Sequence, residues 1–366
     1  MVDLHKQYMK LQAQIDEAMQ HVLQSTAFIN GPEVDAFAAE LSAYLNCGYV
    51  VPCANGTDAL QIALMALNVV PGEEVILPAH TYVATAEVIA LLGLKPVLVD
   101  VDENTFNIDI NQIEAKISRK TKVIVPVHLY GQCADMEAIL NIASQYGLSV
   151  VEDAAQAIGA SYRFSDGTEE KAGTMGVIGA TSFFPSKNLG CFGDGGAMFT
   201  NDESIASKLR MIANHGQRLK YHHEIIGVNS RLDTLQAAVL RVKLRYLEEF
   251  NMKRNEVASY YDRHLPKTWL HLPFRSVNST HVFHQFTCKV SGRDRADFQK
   301  FLTERAIPFM IYYPVPLHLQ KAYQNGYAKG SFPVAEKLSA SVISLPMHTE
   351  MTLEELGYIC DTINQY

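Results

Sequence analysis

Short apolar runs alternate with helix-like patterns through the middle of the chain, and this alternation constrains the fold more than any other feature. The apolar runs occupy residues 75–78, 96–100, 122–127 and 148–152. A helix pattern at residues 136–146 precedes the last of them. Strands that alternate with helices form a largely parallel sheet with helices on both faces. We therefore predict an α/β fold whose ligand binds beyond the carboxyl ends of the strands.

The N-terminal and C-terminal parts of the chain differ in their patterns of apolar residues. Apolar residues at helical spacing fill much of the first 45 residues, and one long helix pattern runs from about residue 233 to 264. Beyond it, strand-like and helix-like segments mix, at residues 283–290, 295–305, 310–315 and 352–365. We predict a large domain at residues 1–245 and a smaller C-terminal α+β domain at residues 246–366.

The charge balance and the cysteine spacing exclude several classes of function. The net charge of −8 argues against a nucleic-acid partner, whose phosphates require a basic surface. No apolar run approaches the 18 residues of a membrane span. The first residues also lack the apolar core of a signal peptide, so we expect a cytoplasmic protein. The six cysteines form no Cys-x-x-Cys pair, which favours reduced core thiols and no metal site.

Four histidines occur in pairs that could suggest a site. His281 and His284 lie three residues apart in a strand-like run, and His222 and His223 are adjacent. Adjacent residues on a strand point to opposite faces and cannot bind one ligand together. For all four we expect solvated side chains or side chains with satisfied hydrogen bonds.

One lysine lies between an apolar run and a glycine-rich loop. Residues 176–184 are strand-like, Lys187 follows, and the loop spans residues 190–196. Exposure to solvent is the commonest fate of a lysine, but the flanks of Lys187 are too apolar for a loop that merely faces water. The loop precedes the strand-like residues 196–200. A dinucleotide fingerprint instead opens a helix after a strand, so we predict no such site.

A carboxylate ends another apolar run. Asp153 follows residues 148–152, where an unpaired carboxylate would be costly to bury. A lysine and an aspartate at strand ends are what pyridoxal phosphate (PLP) requires. The lysine forms a Schiff base, and the aspartate keeps the pyridine nitrogen protonated. Gln156 could reach the phenolic oxygen of the ring. The alternative is that Asp153 only caps a helix.

Two further segments could hold the rest of this cofactor. Gly56 and Thr57 precede a helix pattern, and the free N–H groups of a helix N-terminus bind phosphate. Ser182 could donate a hydroxyl to the same phosphate. Tyr82 follows a strand pattern and could place its ring against a flat cofactor. A plain helix cap and a core aromatic remain the respective alternatives.

Four motifs together resemble the DegT/StrS family of sugar aminotransferases. They are residues 55–60 (NGTDAL), 152–156 (EDAAQ), 182–187 (SFFPSK) and 229–233 (NSRLD). The likeness runs nearly from end to end. It implies a fold-type-I PLP-dependent transferase, with a mixed, mainly parallel sheet between helices and a smaller C-terminal domain. It also implies a substrate that is a nucleotide-linked keto sugar.

The resemblance implies a role for each candidate residue. Lys187 would carry the cofactor covalently, and Asp153 would pair with the ring nitrogen. Other cofactor contacts would come from Gly56, Thr57, Tyr82, Gln156 and Ser182. Asn229 would reach the cofactor phosphate of the neighbouring subunit, which implies a homodimer with shared active sites. Related dehydratases carry histidine at the lysine position, so Lys187 favours transamination over deoxygenation.

The resemblance also points to a substrate. Residues 215–217, 221–223 and 312–318 resemble the branch of the family that aminates position 3 of the sugar. Within that branch, they are most similar to enzymes that act on a UDP-linked 2-acetamido-3-keto-hexuronic acid. Arg231 of the partner subunit would hold the uronate carboxylate with its guanidinium fork, or would form a structural ion pair in the dimer. Tyr313 and His318 are candidate substrate contacts.

The predicted function is transfer of an amino group from L-glutamate to a nucleotide-linked keto sugar, in polysaccharide or glycan biosynthesis. One alternative substrate is a dTDP-linked 3-keto or 4-keto deoxysugar. A different PLP reaction, such as sugar dehydration or amino-acid decarboxylation, is another alternative. A PLP-binding regulator would need a basic helix-turn-helix module, for which the chain has neither the room nor the charge.

Overall fold

The structure is a computed structural model that describes residues 2–324 and 326–366. The strands that it describes are, in chain order, β1 (Tyr49–Cys53), β2 (Glu74–Pro78), β3 (Lys95–Val99), β4 (Thr121–Ile124), β5 (Ser149–Asp153), β6 (Ser161–Arg163), β7 (Glu169–Lys171), β8 (Ile178–Ser182), β9 (Gly196–Thr200), β10 (Gln217–Leu219), β11 (His222–His223), β12 (Leu270–His271), β13 (Phe286–Val290) and β14 (Val342–Leu345). The α-helices are α1 (Leu4–Ser25), α2 (Pro32–Leu45), α3 (Gly56–Ala66), α4 (Ala84–Leu91), α5 (Met136–Tyr146), α6 (Glu203–Ala213), α7 (Thr234–Leu244), α8 (Leu247–His264), α9 (Arg295–Glu304), α10 (Pro333–Ser341) and α11 (Leu353–Asn364).

The centre of the fold is a seven-stranded sheet in the order β1-β9-β8-β5-β4-β2-β3. Strand β9 runs antiparallel to its neighbours β1 and β8. The remaining neighbours in this sheet pair in parallel. The predicted α/β fold with a mixed, mainly parallel sheet is therefore confirmed.

Both faces of this sheet are buried. In β2, Val75 and Leu77 belong to one apolar core, whereas Ile76 belongs to another. Successive side chains of a strand point to opposite faces, so the two cores lie on opposite sides of the sheet. This double burial explains why the strands read as continuous apolar runs rather than as alternating patterns.

Local chemistry sets the boundaries of the helix that leads into β5. The Asp135 side chain accepts a hydrogen bond from the Ala138 N–H and begins α5. Gly147 ends the helix with a φ of 65°, in the left-handed region that glycine adopts without strain. The chain can then turn directly into β5, which carries Asp153 at its last position.

The C-terminal region forms a second, smaller unit of structure. Strands β12, β13 and β14 form an antiparallel sheet. An apolar core combines them with residues of α8, α9 and α11. The segment around α10 instead packs into the core of the large sheet, through Leu317, Phe332 and Leu338. The division of the chain at residue 245 stays a prediction.

Two predicted elements were wrong. The long helix at residues 233–264 is two helices, because α7 ends at Leu244 and α8 begins at Leu247. No Gly or Pro marks this break, and apolar residues continue across it, so the pattern reads as one helix. Residues 310–315 form no strand, and only Met310 makes an isolated bridge, to Ser344. Prolines further along this segment cannot donate to a ladder.

Candidate active site

A cavity of about 690 Å³ lies beyond the carboxyl ends of β5 and β8. Its wall includes residues from the large sheet, from the loop after β8 and from the C-terminal region. Most of the predicted site residues line it, namely Gly56, Thr57, Tyr82, Asp153, Gln156, Ser182, Lys187 and Tyr313. The structure thus brings together residues that lie far apart in the sequence.

Asp153 is fixed by two hydrogen bonds. Its Oδ2 accepts from the Thr85 hydroxyl at 2.8 Å, and its Oδ1 accepts from the Ala155 N–H at 3.2 Å. Thr85 comes from the first turn of α4 and is buried. Thr85 belongs to the same helix start as Tyr82, but no local pattern marks it as a site residue. The carboxylate retains acceptor capacity toward the cavity.

Lys187 follows β8 in a tight turn, in which its N–H donates to the Phe184 carbonyl at 2.8 Å. Burial lowers the pKa of Lys187 to about 8, and the nearby Asp153 charge opposes this shift. Among the described residues, no hydrogen-bond partner of the Lys187 ammonium is found. A lysine with a lowered pKa has a larger fraction of free amine, which is the nucleophilic form.

Two residues for which no role was predicted fix the loop that carries Lys187 through hydrogen bonds. Asn188 donates from Nδ2 to the Asn251 side chain at 2.8 Å and to a backbone carbonyl at 2.9 Å. Lys243 is buried in α7 and donates from Nζ to the Gly190 carbonyl at 2.6 Å. Neither contact is visible in a local pattern, because both partners are distant in sequence.

The N-terminus of α3 forms the end of the cavity that suits a phosphate. Asn55 caps the helix by accepting from the Asp58 N–H at 2.8 Å. A Cβ atom at Gly56 would lie 2.7 Å from the Ser182 Cβ, so only glycine allows this close approach. The free N–H groups of Gly56 and Thr57 and the Ser182 hydroxyl therefore converge on one place.

Gln156 orders the opposite part of the wall. It accepts from the Tyr130 N–H at 2.7 Å and donates from Nε2 to the Tyr313 hydroxyl at 3.0 Å. Burial raises the pKa of Tyr313, so its hydroxyl keeps its proton. Tyr82 is exposed at the mouth, with its ring centroid 5.9 Å from that of Tyr313. An exposed aromatic beside a cavity is available to cover a ligand.

The arrangement fits PLP. Lys187 offers an amine without a hydrogen-bond partner among the described residues, and Asp153 offers a carboxylate with free acceptor capacity. The N-terminus of α3 together with Ser182 offers a phosphate cradle that a Cβ atom at Gly56 would fill. The buried Thr81 hydroxyl lines the same cavity and has no partner among the described residues. Such an atom indicates a missing ligand contact.

Three predicted residues lie outside this cavity. Asn229 forms a backbone bridge to Asn214. Arg231 lines a separate cavity of about 930 Å³, and its buried Nε has no partner among the described residues. His318 is fully buried and shares a hydrogen bond of 2.9 Å with Glu336. The geometry gives His318 a structural contact and no contact with the cavity.

The prediction of satisfied side chains is confirmed for His281 and wrong for His284. His281 accepts from the Phe283 N–H at 3.0 Å, so its Nδ1 is satisfied. His284 lines the cavity, and its buried Nδ1 has no partner in the described part of the chain. His222 and His223 are exposed, as expected. The six cysteines are buried and free.

Comparison with known proteins gives consistent results. The DegT/DnrJ/EryC1/StrS aminotransferase family matches residues 9–364. The UDP-2-acetamido-2-deoxy-3-oxo-D-glucuronate aminotransferase of Pseudomonas aeruginosa is 47% identical over 359 residues, which cover 98% of each chain. The dTDP-3-amino-3,6-dideoxy-alpha-D-galactopyranose transaminase of Aneurinibacillus thermoaerophilus is 43% identical and covers 100% of this chain and 98% of its own. The crystal structure of S. venezuelae DesV in complex with a ketimine intermediate aligns with a TM-score of 0.95 at 40% identity, over 100% of this chain and 97% of that one.

Proposed function

The chain belongs to the DegT/DnrJ/EryC1/StrS aminotransferase family, and we propose that it transfers an amino group from L-glutamate to a UDP-linked 2-acetamido-3-keto sugar or its uronic acid. Like the rest of the family, it is an aminotransferase that depends on PLP. The substrate class rests on the Pseudomonas aeruginosa relative, which is named for such a sugar and is 47% identical over 98% of both chains.

Each residue of the cavity has a task in this proposal. PLP, when bound, supplies an electron sink for negative charge that develops on a substrate carbon. The Lys187 amine attaches the cofactor and afterwards takes and returns a proton at the substrate carbon. Asp153, held by Thr85, keeps a proton on the ring nitrogen. The α3 N-terminus and Ser182 bind the phosphate, and the ring of Tyr82 covers the cofactor.

A homodimer would account for two of the three predicted residues that lie outside the cavity. Asn229 and Arg231 form part of one motif but do not line the cavity of their own chain. We propose that they serve the active site of a second copy, Asn229 at the cofactor phosphate. The unpartnered Nε of Arg231 supports a role toward a partner. That role is to hold the uronate carboxylate or to form an ion pair in the dimer.

A dTDP-linked 3-keto or 4-keto deoxysugar is the second candidate substrate. It is favoured by the relative from Aneurinibacillus thermoaerophilus, which is named for a dTDP-linked sugar and is 43% identical. A UDP-linked sugar stays first because of the higher identity of its relative.

The setting that we propose is the cytoplasm, with a product that enters polysaccharide or glycan biosynthesis. The six free, buried cysteines support a reducing compartment. Within the described residues, no helix combines the length and apolar character that crossing a membrane requires.

The two half-reactions can be tested separately. L-Glutamate added to the PLP form should yield 2-oxoglutarate and the pyridoxamine form in equal amounts. A panel of UDP- and dTDP-linked 3-keto and 4-keto sugars is then added to the isolated pyridoxamine form, with the corresponding 3-hydroxy UDP-sugar as a control. We expect the PLP spectrum to return fastest with the UDP-linked 3-keto sugar and not at all with the control. Absence of 2-oxoglutarate, or a response to dTDP-sugars only, would contradict the proposal.

A further inference from the structure

The cavity contains two buried polar atoms that the proposed cofactor contacts do not use. His284 and Gln285 lie just before β13, and their exposed fractions are 8% and 7%. Both side chains line the cavity. The Nδ1 of His284 and the Oε1 of Gln285 have no hydrogen-bond partner among residues 2–324 and 326–366. Because buried polar groups are nearly always paired, this part of the wall indicates a ligand.

Both side chains directly follow an unusual backbone conformation. The preceding residue, Phe283, has a φ of 44°, which is rare for a bulky residue. Arg254 holds this bend, because its Nη1 donates to the carbonyls of Phe283 at 3.0 Å and His284 at 3.2 Å. Strained residues held in this way cluster at ligand sites.

The surroundings favour a negatively charged ligand group. Burial and the charges of Lys187 and Arg254 together hold the pKa of His284 well below its usual value. Arg254 is itself buried, and the described residues include no carboxylate that forms a salt bridge with it. An anion beside His284 would offset this positive region.

The neighbouring wall is apolar and adds a second constraint. Leu345 pairs with Phe286, the residue after Gln285, and it lines the cavity together with Met347. The Met347 carbonyl is also an acceptor of Arg254, which places it next to the bend. A carboxylate on a stem of methylene groups matches a polar pair beside such a surface better than a hydroxylated sugar ring does.

We propose that His284 and Gln285 form a carboxylate-binding subsite for the amino donor. His284 donates from its ring N–H, and the Gln285 amide turns to donate from Nε2. This proposal deepens the proposed function and rests on L-glutamate as the donor. The carboxylate of a uronic acid has the same chemistry, so the test must separate the two sources.

The test measures carboxylate binding apart from transamination. Glutarate has the carboxylates of the donor but no amino group, and its Kd for the holoenzyme is measured by calorimetry. Gln285→Glu keeps the shape of the side chain but adds a negative charge, so we expect the glutarate Kd to rise about tenfold to a hundredfold. Gln285→Met removes the donor at similar length and should raise it by a smaller factor. Gln20→Glu, on the exposed face of α1, adds the same charge elsewhere and should leave it within about twofold.

The sugar arm uses the pyridoxamine form of the same variants. Binding of a UDP-linked 3-keto uronic acid and of its non-uronic counterpart should stay within about twofold of wild type. If the variants bind the uronic acid more weakly but bind its non-uronic counterpart normally, the subsite belongs to the sugar and our assignment is overturned. An unchanged glutarate Kd in Gln285→Glu and Gln285→Met would overturn the subsite itself. If the wild type binds glutarate as expected but aminates no keto sugar, the proposed function fails and the subsite stands.

Discussion

Two adjacent carboxylates at the end of β5 differ in how completely they are hydrogen-bonded. Glu152 is completely buried and accepts from four donors, at distances from 2.6 to 2.8 Å, namely His128 Nε2 and the N–H groups of Gly173, Met175 and Gly176. Asp153 accepts from two donors and faces the cavity. A carboxylate has about four acceptor positions, so Glu152 is fully satisfied and Asp153 is not. The residue that supports the fold uses its whole capacity, and the residue placed for chemistry keeps part of it free.

Two lysines, Lys187 half-buried and Lys243 fully buried, repeat this contrast. Burial lowers the pKa of both Lys187 and Lys243 to about 8. Lys243 donates to the Gly190 carbonyl and has 1% of its surface exposed. Lys187 lines the cavity, where its amine can reach a ligand. A lowered pKa therefore does not by itself identify the functional lysine, whereas an amine left free to meet a ligand does.

The largest expected effect comes from Lys187→Ala, which separates chemistry from stability. Activity should fall by about 10⁴-fold, because both the attachment of the cofactor and the general acid–base group are lost. The visible absorbance of the covalently attached cofactor should disappear. The free energy of unfolding of the cofactor-free protein should change little, since the amine forms no hydrogen bond with the described residues. Single-turnover kinetics, absorbance and urea titration measure the three quantities.

A Lys187→Ala variant that keeps the absorbance band would remove Lys187 from its assigned role. Lys187→Arg is the matched control, because it keeps the positive charge but cannot attach the cofactor at neutral pH. We expect it to be as inactive as the alanine variant. Substantial activity in Lys187→Arg would show that positive charge, rather than the free amine, is what the site requires.

Glu152→Gln should have the opposite signature. The amide group would turn a donor toward backbone N–H groups that now donate to a carboxylate, which leaves buried donors unpaired. We expect the free energy of unfolding to fall by about 3–5 kcal/mol. The rate of the fraction that remains folded should change far less than in Lys187→Ala. Urea titration of the cofactor-free protein gives the first quantity, and active-site titration normalises the second.

Glu169→Gln provides the control for this substitution. Glu169 is exposed on β7, where the same loss of charge should change stability by less than about 0.5 kcal/mol. Equal stability of the Glu152 and Glu169 variants would mean that the buried cluster around Glu152 contributes nothing beyond its surface counterpart. The contrast between the two carboxylates of β5 would then be lost.

The sequence predicted the parts of the site that follow strand ends. Asp153 follows one apolar run, Ser182 lies near the end of another and Lys187 follows it, and parallel strands bring such positions to one edge of the sheet. The structural role of Glu152 could not be predicted, because the donors that surround its carboxylate are distant in sequence.

Other parts of the site depend on contacts that no local pattern records. His284 was expected to be satisfied, but it lines the cavity with an unpartnered Nδ1 and directly follows Phe283, whose φ is positive. Its support, Arg254, lies on α8, far from it in the sequence. Asn229 and Arg231 lie outside the cavity of their own chain, so their predicted roles depend on a second copy.

The smallest of the expected effects tests how finely Asp153 is positioned. Thr85→Val removes the hydroxyl that donates to Oδ2 at 2.8 Å and nearly preserves the volume of a buried side chain. The carboxylate would lose one of its two donors and become freer to rotate. We expect activity to fall about tenfold, since a hydrogen bond to a charged group contributes about 1.5–3 kcal/mol. Thr85→Ser keeps the hydroxyl and should retain most of the activity. If the serine and valine variants were equally impaired, the loss would be due to packing of α4, and Asp153 would need no positioning partner beyond the backbone of Ala155.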